Sequence, residues 1–310
     1  MRFRESINRI VLIILPLYNR GRIQPTKLNI ILEKLIFYSQ YGVWPDFRNP
    51  SSYFELVNRE KFYGDYKNLA LISDKLAVRD FVKETIGARY LNKLIDVADA
   101  PGLIDEKRYL SYPERFVAKP NMASKRVFIN KTIDYERFLR ETTGFMDEFG
   151  NRNNEFHYKH IPKKLIIEEY LQPANGQLIE LKCLHFNGRL ELIARAENVF
   201  ENEKNGGSKI RFYDREWNEP LLQIRDHLDD PAPKPAQLEE LIEHSEKLAK
   251  GWPFMRVDWY LVDDKLFFGE MTPIPKGGRS FNLNFEDHRF MYQNYYKRTD
   301  INYPGAEPVT

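Results

Sequence analysis

Apolar positions change their period along this chain, and the change divides it. From residue 26 to 40, Leu28, Ile31, Leu32, Leu35 and Ile36 recur every three or four positions behind a Pro25-Thr26 start, predicting an amphipathic helix. A loop punctuated by proline and glycine follows, from Gly42 to Pro50. A second helix is predicted over Ser51 to Lys61, and a third from Ser73, as N-cap, to a stop at Gly87. The first hundred residues therefore read as mostly helical. After Pro101-Gly102 the period becomes two, and Phe116 to Lys119, Val127 to Asn130, Leu165 to Leu171 and Leu178 to Phe186 read as strands. One long helix, about Asp134 to Phe149, interrupts them. Asn187-Gly188 between two apolar runs predicts a hairpin over Leu178 to Ala196.

Further on, Glu201 to Ser208, with Gly206-Gly207, reads as a mobile loop and Asp229 to Pro235 as a proline-rich linker. The linker leads into a helix from Ala236 to Lys250, with Leu238, Leu241, Ile242, Ser245 and Leu248 on one face and Gly251 as its stop. Two strands close the pattern, Met255 to Val262 and Leu266 to Met271, turned by Asp263-Asp264-Lys265. No internal repeat or low-complexity tract interrupts it. The expected organisation is a mostly helical N-terminal region (1–110), an α+β region (111–290) and a tail (291–310). The aromatic cluster Met291, Tyr292, Tyr295 and Tyr296 can pack on the core or meet a partner, core packing being the commoner fate.

Composition narrows the classes. At 310 residues, with 42% apolar and 14% aromatic positions, the chain is too hydrophobic for a disordered protein. Its 47 Lys and Arg against 45 Asp and Glu lack the basic excess of a dedicated nucleic-acid binder, so no nucleic-acid partner is expected. The single cysteine, Cys183, lies in an apolar strand-like run and has no second thiol or zinc-spaced ligand, which favours a cytoplasmic setting. Arg2, Arg4 and Arg9 precede the apolar run Ile10 to Leu15, which is far shorter than the roughly 20 residues of a membrane span. No small-residue cleavage site follows that run. Such a segment can rest on the anionic inner face of a membrane, as a peripheral contact, or pack on the protein; packing is the commoner outcome.

Candidate chemistry concentrates in the last hairpin. Alternation puts Arg256, Asp258 and Tyr260 on one face of its first strand and Glu270 and Thr272 on one face of its second, with Val257 and Met271 opposite. Paired strands can thereby offer carboxylates side by side to a magnesium ion, which takes oxygen ligands from one or two carboxylates and from substrate phosphates. A plain solvated hairpin face would show the same bare acidic pair. Upstream, Phe116-Val117-Ala118-Lys119-Pro120-Asn121 ends a strand on a lysine, and a polar loop with Ser124, Lys125 and Arg126 follows. Leu165 to Leu171 is an apolar strand running into Glu168-Glu169, and a short loop leads on to Glu180 and Lys182. Each has an ordinary reading too, as a surface lysine or a charged strand rim.

In this order and spacing, the Lys-Pro strand end, the Glu-Glu-Tyr-Leu strand, the Arg-x-Asp strand and the Gly-Glu-x-Thr-Pro strand resemble the ATP-grasp superfamily. The spacing of Asp258, Glu270 and Thr272 is similar to that in the metal-binding hairpin of the D-alanine–D-alanine ligase branch. Closer still is the TupA-like ATP-grasp family, named for a protein of teichuronopeptide synthesis in bacterial cell walls; its Ser-Asp-Lys helix is similar to Leu71 to Arg79 here. The resemblance covers about Pro50 to Gly278. It implies an α+β fold in which two subdomains grip ATP, preceded by the mostly helical N-terminal region.

Residue by residue, the resemblance implies that Lys119 binds the α- and β-phosphates, that Ser124 belongs to the covering loop, and that Glu168, with the backbone from Glu169 to Leu171, holds adenine. Glu180 and Lys182 would face ribose and phosphates, and Lys75 would add a further cation. Asp258, Glu270 and Thr272 would hold Mg2+, and Arg256 would steady the transferring phosphoryl group. The loop after Asn121 departs from the family pattern by having no glycine. Lys276, with Arg279, would receive the carboxylate substrate, although a proline–glycine turn with solvated charges reads equally well.

The implied activity is a carboxylate–amine ligase that forms an amide through an acyl phosphate, using ATP and Mg2+, in bacterial cell-surface polysaccharide assembly. The alternatives are an ATP-dependent kinase acting on a glycan hydroxyl and a non-catalytic binding module, the latter motivated by the glycine-free loop.

Overall fold

Two antiparallel sheets each pack helices on one face and carry charged residues on the other, Lys119 and Glu168 on the first and Arg256, Asp258 and Glu270 on the second. The computed structural model describes residues 11, 26–122, 128–129, 134–147, 154–174, 178–197, 210–220, 222, 231–279 and 283–298. The basic stretch ahead of Thr26 (Val11 apart), the loop residues Ser124, Lys125 and Arg126, and the stretch Glu201 to Ser208 lie outside them.

Helix α1 spans Thr26–Tyr41, α2 Tyr53–Tyr63, α3 Tyr66–Ser73 and α4 Val78–Ile86. Ser52 caps α2 as an acceptor for the Glu55 N–H, and Asp65 caps α3 through the Lys67 and Asn68 N–H groups. The expectation of a helix starting at Ser73 is corrected here. Ser73 ends α3, because the Asp65 cap starts that helix earlier, and the chain turns at Asp74 before α4 begins.

The first sheet has the order β1-β4-β2-β3, from β1 (Leu94–Ala98), β2 (Phe116–Pro120), β3 (Phe128–Ile129) and β4 (Leu165–Glu169). Strand β1 was not predicted. Helices α5 (Glu106–Leu110) and α6 (Tyr135–Asp147) stand between its strands in sequence. Phe116, Ala118, Leu165 and Ile167 bury one face with Tyr109, Tyr112 and Phe138, which leaves Lys119 and Glu168 on the other.

The second sheet has the order β7-β6-β5-β8-β9. Its strands are β5 (Ile179–Phe186), β6 (Arg189–Glu197), β7 (Ile210–Asp214, also unpredicted), β8 (Phe254–Val262) and β9 (Lys265–Thr272). Both expected hairpin turns form: Asn187-Gly188 and Asp263-Asp264 each adopt positive φ at both positions. Leu181, Cys183, Ile193, Val257, Trp259 and Met271 bury one face against α4 and α7 (Leu238–Ala249). At one end of the opposite face, Leu184, Phe186 and Phe254 pack against Tyr53, Leu56 and Met291 from α2 and α8 (Phe285–Met291). The C-terminal aromatics thus serve the core: Met291 and Tyr292 are buried, with Tyr295 and Tyr296 packed against them. Among the described residues no helix is long and apolar enough to cross a membrane.

Candidate nucleotide and metal site

The site begins with register. In the β8–β9 ladder Arg256 lies opposite Thr272 and Asp258 opposite Glu270, so the four polar side chains project from one face. Gly269 makes this pairing possible. A bulge falls between Asp258 and Trp259, and a Cβ on Gly269 would stand 2.9 Å from the Asp258 carbonyl oxygen. Arg256 donates from Nε and Nη2 to the two oxygens of Asp258 at 2.6 Å each, then from Nη2 to Glu270 at 2.8 Å and to Thr272 Oγ1 at 3.1 Å. The Thr272 hydroxyl donates to the same Glu270 oxygen at 2.9 Å.

Two lysines complete the electrostatics. Lys75 reaches the other Glu270 oxygen at 2.9 Å, and Lys182, opposite Asp258 on β5, lies 2.6 Å from Glu180 and 3.5 Å from Asp258. Burial disfavours the Glu270 carboxylate, yet Lys75 and Arg256 outweigh it and hold the carboxyl far below its usual range. Burial likewise works against the Lys182 ammonium, but Asp258 and Glu180 raise its pKa above the ordinary lysine value. Glu180 is pushed up by burial and by Asp258. Burial also raises the Tyr260 phenol, with Glu180 and Glu270 adding to the effect.

The first sheet supplies a second cluster. Lys119 lies 2.6 Å from one oxygen of Glu168, and Arg79 lies 2.9 Å from the other. Lys75 and Arg79, one helical turn apart in sequence, thus serve different carboxylates: Lys75 a residue of the second sheet, Arg79 one of the first. The backbone of Glu169 is engaged, its N–H donating to the Lys93 carbonyl at 3.0 Å and its carbonyl accepting from Asn92 at 2.7 Å. Leu171 is half-buried just beyond β4.

The turn after β9 is built around positive φ at Lys276, Gly277 and Gly278. Lys276 is exposed, and the carbonyls on either side of the next peptide are pinned, Gly277 by Lys61 Nζ at 2.8 Å and Gly278 by Asn58 Nδ2 at 2.9 Å. Arg279 is not turned outward as the sequence suggested. It is buried on Glu33, its Nε donating at 2.7 Å, while Lys61 binds the same carboxylate at 2.8 Å. Sequence reading missed this Glu33–Lys61–Arg279 cluster.

The donor set suits Mg2+: two carboxylates in register and a hydroxyl are hard oxygen donors, with phosphate oxygens and water left to complete the shell. Among the described residues no group of three or more His, Cys, Asp or Glu forms a protein-only metal site. Asp258 and Glu270 would hold the ion, which when bound would neutralise phosphate charge.

The second sheet thus carries a hairpin with paired carboxylates, and the first a strand that places Lys119 on Glu168. The model of the TupA-like ATP-grasp family matches residues 55–291, and the chain belongs to that family. No curated protein matches it. Among solved structures, it is similar to D-alanine–D-alanine ligase from Helicobacter pylori, at 15% identity and a TM-score of 0.44 over 73% of this chain and 60% of that one. D-alanine–D-alanine ligase from Bacillus anthracis, complexed with ATP, matches at 15% identity and a TM-score of 0.39 over 73% and 66%. Phosphoribosylamine–glycine ligase from Thermotoga maritima matches at 15% and 0.41 over 68% and 50%. The chain thus spans 60% of the length of the Helicobacter enzyme.

Proposed function

We propose that this chain is an ATP-dependent carboxylate–amine ligase acting through an acyl phosphate. The observation that carries the reading is the Arg256 guanidinium held at 2.6–2.8 Å on Asp258 and Glu270, directly opposite one another in the β8–β9 ladder. In the working complex Asp258, Glu270 and Thr272 hold Mg2+, Lys119 and Lys75 bind phosphate oxygens, and Arg256 faces the transferring phosphoryl group, where a fixed cation stabilises developing charge. Glu168, Glu169 and Leu171 border the adenine, Glu180 and Lys182 the ribose side, and Ser124 the covering loop. A substrate carboxylate oxygen, received beside Lys276, attacks the γ-phosphorus and releases ADP. The amine then attacks the acyl carbon, loses a proton and displaces phosphate. Family membership favours a carboxylate and an amine from bacterial surface-polysaccharide assembly, such as a uronic acid and an amino acid.

Thermal stabilisation by ATP with Mg2+ tests the site, because a ligand that binds only the folded state raises stability by mass action. The wild type is expected to show a magnesium-dependent shift that Asp258→Asn and Glu270→Gln both lose. No shift in the wild type at millimolar nucleotide would remove the reading. Hydroxylamine trapping then separates chemistries: a hydroxamate supports the ligase, whereas a phosphorylated sugar without hydroxamate would identify a kinase.

A further inference from the structure

Helix α1 does not turn its whole apolar stripe inward. Asn29, Glu33 and Phe37 are its buried side, whereas Leu28 is 43% exposed and Ile31 50%. Val43 and Trp44, just past its end, are 36% and 53% exposed, and the Trp44 ring lies 6.0 Å from that of Tyr38, which is seven positions on from Ile31 and on the same side of the helix. Eight large apolar side chains stand exposed among the described residues, and four of them fall between residues 28 and 44. Single exposed apolar residues are ordinary, but a group of them rimmed by charge marks a contact surface. Trp44 also differs from the other three tryptophans, since Trp217 and Trp259 are buried and Trp252 is half-buried.

The rim of this group is basic. Lys27 and Arg48 are exposed, and Arg48 lies 4.8 Å over the ring of Tyr63. Residues 1–27 hold five arginines and Lys27 against Glu5 alone, although the whole chain is only +2. Val11, in that stretch, packs against Leu32 and Ile36 of α1. Between residues 26 and 49 the acids are Glu33, which is buried, and Asp46, which accepts from the Arg48 N–H at 2.9 Å and from Asn49 at 3.2 Å. We propose that the outer face of α1, with Leu28, Ile31, Val43 and Trp44, docks this chain on an anionic lipid surface. The apolar side chains and the tryptophan enter the headgroup boundary, while Lys27, Arg48 and the basic stretch meet lipid phosphates. Charge argues against a second copy as the occupant, because a two-fold contact would set one basic rim against the other. Ile31 and Glu33 are two positions apart, about 200° around the helix. Since Glu33 holds Lys61 and Arg279, α1 lies between the lipid-facing side and the Gly277–Gly278 turn. The docking does not depend on the ligase reading.

The test uses the full chain with vesicles of phosphatidylcholine alone and of phosphatidylcholine with about 30% phosphatidylglycerol. The wild type is expected to float with the anionic vesicles and not with the neutral ones, and to lose most of this binding at about 0.5 M salt, where exposed charges are screened. Lys27→Gln should weaken binding roughly fivefold, the scale of one cation at such a surface. Ile31→Asp combined with Trp44→Asp should weaken it roughly tenfold or more. The double variant should melt within about 2 °C of wild type, because both side chains are exposed. Bromine-labelled lipid should quench tryptophan emission in the wild type but not in Trp44→Phe, which still floats; this reads insertion without a disruptive variant. A wild type that stays off the anionic vesicles would overturn the proposal, as would a double variant that floats as well as wild type or quenching that persists in Trp44→Phe. A double variant melting well below wild type would show the face packed on protein and overturn it too. So would a chain that sediments as a dimer, becomes a monomer in the double variant and ignores both vesicles, which would assign the face to a second copy.

Discussion

Glu33 shows how one side chain outside the matched segment shapes the site. It is fully buried, and burial alone would favour its neutral form, but Lys61 and Arg279 hold its carboxyl down at about 2. The sign of its pH effect follows. A depressed folded pKa contributes stability that is complete above the ordinary value of 4.5 and is lost as pH falls through about 2. Urea unfolding should therefore show a falling acid limb across that interval, flattened in Glu33→Gln. At neutral pH, Glu33→Gln leaves two buried cations without their counter-ion, and the expected loss is about 3–5 kcal/mol. A loss below about 1 kcal/mol would mean that the cluster is less committed than its geometry indicates. The same variant should disturb the Gly277–Gly278 turn, because Lys61 holds the Gly277 carbonyl with the ammonium that Glu33 orients.

Secondary elements differ in how much of themselves they write into the local sequence. The β8–β9 hairpin was legible because alternation and a two-residue turn are short-range signals: Asp263-Asp264 takes positive φ, and Asp258 and Glu270 fall opposite one another. Asn187-Gly188 was legible for the same reason. Strand β1 was not, since it is a short run carrying Asp96 and pairs with β4 some seventy residues away. The end of α3 at Ser73 was misread because serine serves as cap or as ordinary helical residue according to what precedes it, here Asp65. Glu33, Lys61 and Arg279 lay hidden because each sits in a pattern that a solvated face explains, and only the fold brings them together. The bulge at Gly269 was likewise silent, yet it decides where Glu270 points. Gly269→Ala should cost about 1–3 kcal/mol, because the new methyl meets backbone that cannot step aside. It should also weaken ATP with Mg2+ more than it lowers the melting temperature of the free protein would suggest. Calorimetry on the folded variant checks this, and unchanged nucleotide affinity would show that the bulge serves only packing.

Across the whole molecule, the two separately packed sheets are linked through the turn that carries Lys75, and Asn121 anchors that turn. It follows Lys119-Pro120 on the first sheet, and its side chain, fully buried, donates to Asp74 at 2.9 Å and to the Pro162 carbonyl at 3.0 Å while accepting from the Lys164 N–H at 2.9 Å. Its own carbonyl accepts from the Lys75 N–H at 3.0 Å. One residue therefore locks the strand that carries Lys119 to the turn that carries Lys75, and Lys75 reaches across to Glu270 on the second sheet. Arg79, on the helix that follows, returns to Glu168 on the first. On the proposed reading a nucleotide would depend on this frame, since Lys75 and Lys119 displaced by even about 1 Å would lose much of their effect on phosphate. Asn121→Ala should take the Asn121 partner from the Lys164 N–H and the Pro162 carbonyl, while Asp74 keeps the Leu76 N–H, costing about 2–4 kcal/mol. It should also weaken ATP with Mg2+ by roughly tenfold or more, although Asn121 itself need touch no nucleotide. Hydrogen exchange separates this from general loosening: faster exchange is expected at Asp74, Lys75 and Lys164, with the β5–β8 ladder protected as before. If Asn121→Ala loses stability but keeps its nucleotide affinity, the Lys75–Glu270 and Arg79–Glu168 ion pairs rather than the buried amide keep the two lysines in place.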